Sequence, residues 1–201
     1  IRDRRKDKGV TAEDALKQMH NYNYFGTMMI KAGDAAGMVS GANHSTADTV
    51  RPALQIIKSA KKGRAVSSAV LEVVNGKPYI LSDCAIVINP TAAELADIAV
   101  DAAQTALQFG IEPNVALLSY STKGSGKGEG VDKVAEAARL AGEQLKLPEY
   151  KDLPIKIDGE MQADAALDAV VAAKKAPGSE VAGQANVLIF PDIEAGNISY
   201  K

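Results

Sequence analysis

The segment NPTAAELADIAVDAAQTALQFGIEPNVALLSY, residues 89–120, contains the pattern that decides the fold. Thr91 and Glu94 are the outer positions of a TAAE capping box, which predicts the start of a helix. The alanine-rich stretch after it predicts a long helix to about Phe109, and the apolar run Val115–Ser119 predicts a short buried strand. A long helix followed by a short apolar strand is typical of a parallel sheet covered by helices.

The same alternation continues on both sides of this segment, and Asn75-Gly76 adds a hairpin signal between two β-rich runs. The predicted strands are 35–39, 66–74, 78–88, 115–119, 155–160 and 186–190. The predicted helices are 11–20, 24–31, 48–60, 92–109, 131–146 and 163–175, with Gly63 ending the third. We therefore predict an α/β fold of three layers, in which helices flank a mostly parallel sheet.

Composition excludes several classes of protein. The 201 residues are 46% hydrophobic and 24% charged, which favours a folded globular chain over a disordered or fibrous one. A formal net charge of -2 argues against a basic surface for nucleic acid or for an anionic membrane. No apolar run approaches the roughly eighteen residues that a membrane span requires. The lone Cys84 and only two histidines argue against disulfides and metal clusters, so we expect a cytoplasmic protein without a metal.

The loop SYSTKGSGKGEG, residues 119–130, follows a predicted strand, at the sheet edge where ligands bind in α/β proteins. Its hydroxyls, two lysines and four glycines suit a phosphate. It is not a Walker A loop, because Gly128 follows Lys127, and Glu129 breaks the GxGxxG pattern. The alternative is a soluble surface loop without a ligand.

A second polar turn, SGANHSTADTVR at residues 40–51, precedes a predicted helix. Hydroxyls at a helix N-terminus suit an anion, and Arg51 would add a planar guanidinium that matches a phosphate. The alternative makes Ser45 or Thr46 an ordinary N-cap, His44 a hydrogen-bonded turn residue and Arg51 a solvated helix residue. The sequence around His44 holds no partner pattern for a metal ligand.

Three acidic residues near a predicted strand end, Asp158, Glu160 and Asp164, allow a general base, although carboxylates at helix starts are commoner. Cys84 is predicted to be a buried strand residue, since no adjacent base suggests a nucleophile.

Five segments together resemble the phosphate acetyltransferase (phosphotransacetylase) family, in order and along nearly the whole chain. They are MVSGANHSTADTVRPALQIIK (38–58), SDCAIVINPTAAELADIA (82–99), SYSTKGSGKGEGVDKV (119–134), IDGEMQADAAL (157–167) and GQANVLIFPDIEAGNISYK (183–201). The resemblance implies two α/β domains with a cleft, as in isocitrate and isopropylmalate dehydrogenases. We expect residues 1–62 to be the end of a first, incomplete domain and residues 63–201 to be a second domain, with KKGR (61–64) at the boundary.

The resemblance also implies reversible acetyl transfer between acetyl phosphate and coenzyme A by a homodimer, without a further cofactor. Arginines at the positions of Arg5 and Arg51 bind coenzyme A in the family, and we expect residues 119–123 to contact acetyl phosphate while 124–130 close as a glycine-rich flap. The expected substrate-binding residues are Arg5, Ser40, His44, Ser45, Thr46, Arg51, Ser119, Tyr120, Ser121, Thr122 and Lys123.

The family continues past this segment into a Ser-Arg motif with a nearby aspartate that activates the thiol. The sequence stops at Lys201, so we expect a piece of a longer protein that lacks catalytic groups and is inactive alone. Two alternatives stay open: a phosphate butyryltransferase, and the non-catalytic, phosphotransacetylase-like domain that regulates some malic enzymes.

Overall fold

The computed structural model describes residues 9–59 and 64–201, and the chain divides into two compact units, Ile1–Gly63 and Arg64–Lys201. The predicted contact at Arg5 lies outside the described residues, as do residues 61–63 of the predicted boundary.

The first unit contains three helices, α1 (Ala12–Gln18), α2 (Tyr22–Ala32) and α3 (Thr46–Ile56). Each begins at a side-chain cap, as the polar residues before the apolar runs predict. Thr11 forms the predicted capping box at α1, and Asn21 and Ser45 cap the other two helices. Gly33 ends α2 in the left-handed conformation, with φ 89°, as expected of glycine after a helix. Helices α2 and α3 pack against each other.

Two predictions in this unit are wrong. Residues 35–39 do not form a buried strand, and Val39 is fully exposed. A strand needs a partner for its backbone hydrogen bonds, and the described residues of this unit contain none. Helix α3 ends at Ile56 instead of continuing to residue 60, because the amides of Ile57 and Lys58 both donate to Ala53 O and Lys58 turns to φ 67°.

The second unit is built on a five-stranded sheet in the order β1-β2-β5-β3-β4. Its strands are β1 (Val70–Val74), β2 (Lys77–Ser82), β3 (Asn114–Leu118), β4 (Lys156–Met161) and β5 (Val187–Ile189). The β2–β5, β5–β3 and β3–β4 pairs are parallel, and β1 alone of these strands runs antiparallel. Asn75 and Gly76, with φ 51° and 78°, form the hairpin turn between β1 and β2. The mostly parallel α/β fold is confirmed.

The helices of this unit are α4 (Ala92–Gln108), α5 (Glu129–Gln144), α6 (Ala163–Leu167), α7 (Ala169–Lys175) and α8 (Ile193–Ser199). Helix α4 begins at the predicted capping box of Thr91 and Glu94. The predicted single helix over 163–175 is two helices, because Asp168 leaves the helical conformation and its carboxylate accepts the first amides of α7. The sequence analysis predicts no helix over residues 193–199, where the structure has α8.

Strand β2 stops at Ser82 rather than extending over 85–88 as predicted. The reason is the buried Asp83, whose carboxylate accepts hydrogen bonds from the amides of Ala85, Ile86 and Val87. These three amides therefore donate to one side chain and do not form hydrogen bonds with a neighbouring strand. The beginning of the predicted strand at 66–69 is also irregular in the structure.

Apolar side chains cover both faces of the sheet. On one face Ile80, Leu117 and Ile189 are buried against α4 and α5. On the other face Leu81 and Met161 belong to a second cluster, with contributions from α6 and α8. Because successive strand residues point to opposite faces, the central strands β3 and β5 supply both clusters, and their runs Val115–Leu118 and Val187–Ile189 are continuously apolar.

Candidate functional site

The carboxyl ends of the parallel strands bring four turns to one edge of the second unit. The Asp83 turn follows β2, the loop 119–128 follows β3, Gln162 follows β4, and Pro191 follows β5. In open α/β sheets this is the edge at which ligands bind. The loop 119–128 is the longest of these turns and contains most of the predicted site residues of this unit.

Ser121 anchors the loop to strand β4 through a buried hydrogen bond. Its side chain is fully buried; its hydroxyl donates to Glu160 Oε1 at 3.0 Å and accepts from the Gly126 amide at 2.9 Å. Glu160 is itself buried, and the same oxygen accepts the Gly124 amide at 2.7 Å. The Glu160 carboxyl group thus accepts one side-chain and one backbone hydrogen bond from the loop.

Thr122 makes a second connection, to Gln162 directly after β4. Its hydroxyl donates to Gln162 Oε1 at 3.2 Å and accepts from the Gln162 amide at 3.0 Å, while its own amide donates to Ser125 Oγ. Ser119 accepts the Ser121 amide at 3.2 Å. The predicted contact of these hydroxyls with substrate stays a prediction; in this conformation they hold the loop in place.

Lys123 lies where the loop turns, with φ 50°, and its ammonium group donates to Asp158 and to Gly159 O. Ser179 donates to the other oxygen of Asp158. Burial opposes ionisation of this carboxyl group, yet the hydrogen bonds from Lys123 and Ser179 hold the pKa of Asp158 below its usual value. Asp158 therefore acts as the counter-ion of Lys123 in this structure.

Tyr120 is the exposed member of the first part of the loop, with 63% of its surface accessible. Its hydroxyl donates to Lys127 O at 2.7 Å, so the ring lies along the glycine-rich part. A Cβ at Gly126 would come within 2.9 Å of the Tyr120 ring, and one at Gly128 within 2.7 Å of its hydroxyl. These glycines permit close packing as well as the flexibility that the flap prediction requires.

The predicted turn of the first unit is organised by the buried Asn23 of α2. Its amide group donates to Asp48 O at 3.3 Å and accepts from the Ser40 hydroxyl, so both flanks of the turn bind one side chain. Ser40 is thereby placed beside α2, and its hydroxyl proton is engaged there. His44 is exposed, and its amide donates to Gly41 O at 3.4 Å.

Ser45 is the N-cap of α3, as the plainer of the two interpretations expected, and Thr46 is the first helical residue. The Ser45 hydroxyl, with a smaller contribution from Arg51, holds the pKa of Asp48 below its usual value. Arg51 Nη1 lies 3.0 Å from Asp48 Oδ1, and 53% of the arginine side chain is exposed. Such exposed pairs are weak, so the remaining guanidinium donors are accessible to an anion.

Several other predictions concerned single residues. Cys84 is buried as predicted, although it lies in the turn after β2, and burial raises the pKa of its thiol to about 11. Asp164 pairs with Lys175 at 2.7 Å. Within residues 9–59 and 64–201, no group of three or more His, Cys, Asp and Glu side chains is arranged to hold a metal ion. No helix in the same ranges is long and apolar enough to cross a membrane.

The sequence analysis does not identify two residues that have a structural role at the sheet edge. Asp83 organises the turn after β2, and Lys133 of α5 donates from its ammonium group to Asn89 Oδ1 and to Pro191 O, both at 2.9 Å. The partners of Lys133 lie 44 and 58 positions away, so no local spacing indicates its role. Asp83 binds amides of its own turn, two to four residues ahead. An Asp directly after an apolar strand was the only available signal, and it suits many turns equally well.

Residues 1–201 match the model of the family described as phosphate acetyl/butaryl transferase. The chain belongs to this family. It is 52% identical over 197 residues to a phosphate acetyltransferase of Corynebacterium glutamicum, which covers 98% of the chain and 58% of that relative. It is 53% identical over 200 residues to a phosphate acetyltransferase of Bacillus subtilis (strain 168), which covers 99% of the chain and 59% of the relative. The chain thus spans about three fifths of the length of these relatives.

Solved structures of the family have the same fold. A EutD phosphotransacetylase from Staphylococcus aureus superposes with a TM-score of 0.86 at 52% identity, covering 99% of the chain and 59% of that structure. A phosphotransacetylase from Streptococcus pyogenes gives a TM-score of 0.85 at 53% identity, covering 98% and 58%. The family expected from the sequence is confirmed.

Proposed function

We propose that the protein containing this chain is an acyltransferase that interconverts acetyl phosphate and coenzyme A with acetyl coenzyme A and inorganic phosphate. The thiol sulfur attacks the acetyl carbonyl carbon, the bond between that carbon and the phosphate oxygen breaks, and the phosphate leaves with the electron pair. The thiol proton passes to a base or to the departing phosphate. The observation that carries the proposal is the match along the whole chain to relatives named phosphate acetyltransferase.

The described residues supply donors suited to this chemistry. Both substrates carry phosphate groups, and acyl transfer is accelerated by donors placed where negative charge develops. Arg51 offers an exposed guanidinium group in the first unit. In the second unit, the loop of residues 119–128 that follows β3 (the β3 loop) contains Lys123 and Lys127 and lies at the carboxyl edge of the sheet. The high pKa of Cys84 keeps its thiol protonated near neutral pH, which makes a covalent cysteine intermediate unfavourable.

The assignment of individual residues belongs to the same proposal. Arg5 and the exposed Arg51 bind coenzyme A, and the exposed residues His44 and Thr46 of the first unit also bind substrate. Residues 119–123 bind acetyl phosphate, with the surface of Tyr120 as the accessible part and Ser121 and Thr122 as the groups that hold it in place. Ser40 and Ser45 maintain the shape of their turn through Asn23 and Asp48.

The finer architecture is also proposed. Residues 1–62 and 63–201 contribute to two α/β domains arranged as in isocitrate and isopropylmalate dehydrogenases, and the active protein is a cytoplasmic homodimer. No nucleic acid, membrane or additional cofactor takes part. The family model and the mostly parallel sheet of the second unit support the α/β assignment of residues 63–201.

The test is an assay of the purified full-length protein with acetyl phosphate and coenzyme A, following thioester formation, with butyryl phosphate in parallel. Acetyl transfer with weaker butyryl transfer supports the proposal, and a preference for butyryl phosphate supports the butyryl alternative. Absence of both activities contradicts the enzyme assignment and favours a regulatory domain.

Arg51→Lys keeps the charge but loses the planar fork, so we expect KM for coenzyme A to rise about tenfold. Arg139→Lys is the matched control, because Arg139 is equally exposed at 53% and also pairs with an acidic residue three positions away. Equal effects of the two changes would assign Arg51 to the solvated helix surface.

A further inference from the structure

Lys133 connects three neighbouring strands at the carboxyl edge of the sheet. It lies in the first turns of α5, the helix that follows β3, and its ammonium group donates to Asn89 Oδ1 and to the backbone oxygen of Pro191. Asn89 lies seven residues after the end of β2, and Pro191 lies two residues after the end of β5. Since β2, β5 and β3 are adjacent in the sheet, one side chain connects the segments that follow three neighbouring strands.

The charge of Lys133 is uncompensated at this position. Both acceptors are neutral oxygens, and among the described residues no carboxylate lies within ion-pair distance of the ammonium group. By contrast, Lys123 and Lys175 of the same unit pair with Asp158 and Asp164. A protonated lysine carries three donors. Two are used here, so one N–H remains, together with a full positive charge.

The surroundings of the Lys133 ammonium group favour a role in binding an anion over a purely structural role. A half-buried cation held by neutral oxygens has lost part of its hydration without gaining a counter-ion, and a bound anion restores that interaction. The edge already carries the long β3 loop, and ligands bind at this edge of α/β sheets. Lysine binds phosphate as a point charge, without the bidentate geometry of arginine.

We propose that Lys133 binds the phosphate group of acetyl phosphate, and of the inorganic phosphate formed from it, through its third N–H at the β2, β5 and β3 strand ends. This inference rests on the proposed acetyl transfer for its substrate. The hydrogen bonds to Asn89 and Pro191 aim the ammonium group and keep it at the edge. Coenzyme A binding does not depend on it.

The first experiment uses Lys133→Met in the full-length protein. We expect KM for acetyl phosphate and the inhibition constant of inorganic phosphate to rise at least tenfold, since a hydrogen bond to a charged group is lost. KM for coenzyme A stays within twofold, and Lys133→Arg restores part of the loss. Lys156→Met is the control, because Lys156 is an exposed lysine at the opposite end of β4.

Asn89→Asp separates charge from structure. It preserves the shape of the side chain and its contact with Lys133, but places a carboxylate beside the ammonium group. If Lys133 binds phosphate, Asn89→Asp raises KM for acetyl phosphate as Lys133→Met does. If Lys133 has only a structural role, Asn89→Asp leaves KM for acetyl phosphate unchanged. Lys133→Met then lowers the stability of the protein without changing KM for acetyl phosphate. That second pattern overturns the inference.

Failure of the proposed function is a different result. If the wild-type protein transfers no acetyl group, titration calorimetry with inorganic phosphate compares the wild type and Lys133→Met directly. Weaker phosphate binding by the variant supports the anion site without the reaction, and equal binding overturns it.

Discussion

Replacing Ser121 by alanine tests whether this buried side chain anchors the β3 loop to Glu160 of strand β4. The change removes one buried hydroxyl, which donates to Glu160 Oε1 at 3.0 Å and accepts from the Gly126 amide at 2.9 Å. Ser121 is fully buried, so water does not replace the hydroxyl without opening the loop. Glu160 keeps its bond from the Gly124 amide, and the loss is therefore confined to two contacts.

The expected magnitude follows from these contacts. The Gly126 amide is only part-buried, so the loss of its acceptor costs about 1 kcal/mol, the low end of the range for unsatisfied groups, and the hydrogen bond to the buried carboxylate of Glu160 contributes about 1.5–3 kcal/mol. We expect the free energy of unfolding to fall by about 3 kcal/mol. If only the loop opens, the same free energy raises the opening equilibrium about 100-fold.

Urea unfolding measures the global change, and hydrogen exchange of the Gly124 and Gly126 amides measures the local one. Ser199→Ala is the control, because the Ser199 hydroxyl is exposed and bonds within its own helix to Ala195 O. A loss below about 0.5 kcal/mol in Ser121→Ala, with unchanged exchange at Gly126, refutes the reasoning. If KM for acetyl phosphate then rises tenfold, direct contact of Ser121 with substrate explains the effect instead.

Two further predictions concern packing and pH. Gly196→Ala places a methyl carbon 2.3 Å from a backbone oxygen of the turn after β2, whereas Gly142→Ala meets nothing within 4 Å; thermal unfolding should show a loss of about 1–3 kcal/mol for the first and a gain of about 0.5–1 kcal/mol for the second. The lowered pKa of Asp158 means that its contribution to stability is present above its ordinary value of 3.8 and is lost as the pH falls through the lowered value. Lys123→Met raises that pKa, so urea unfolding across the acid range should show lower stability near neutral pH and a smaller decrease on acidification; an unchanged profile contradicts the Lys123–Asp158 pair.

The sequence by itself determined the features that depend on neighbouring residues. The capping boxes at Thr11 and Thr91 begin helices because each hydroxyl satisfies an amide three positions away. Asn75-Gly76 specifies the hairpin because both residues tolerate positive φ. The short apolar runs between helices predict parallel strands buried on both faces, and the structure confirms this class.

The tertiary structure decided which polar groups become partners. Residues 35–39 have the composition of a buried strand, yet no neighbouring strand in the described part of their unit accepts their backbone groups. Ser121 reaches Glu160, 39 positions away, and Lys133 reaches Pro191, 58 positions away. Strand order sets these distances, and a hydrogen bond requires its donor and acceptor within about 3 Å. The sequence therefore locates the loop 119–128 at the sheet edge, whereas the fold decides which side chains hold that loop and which, like Lys133, keep a donor for an anion.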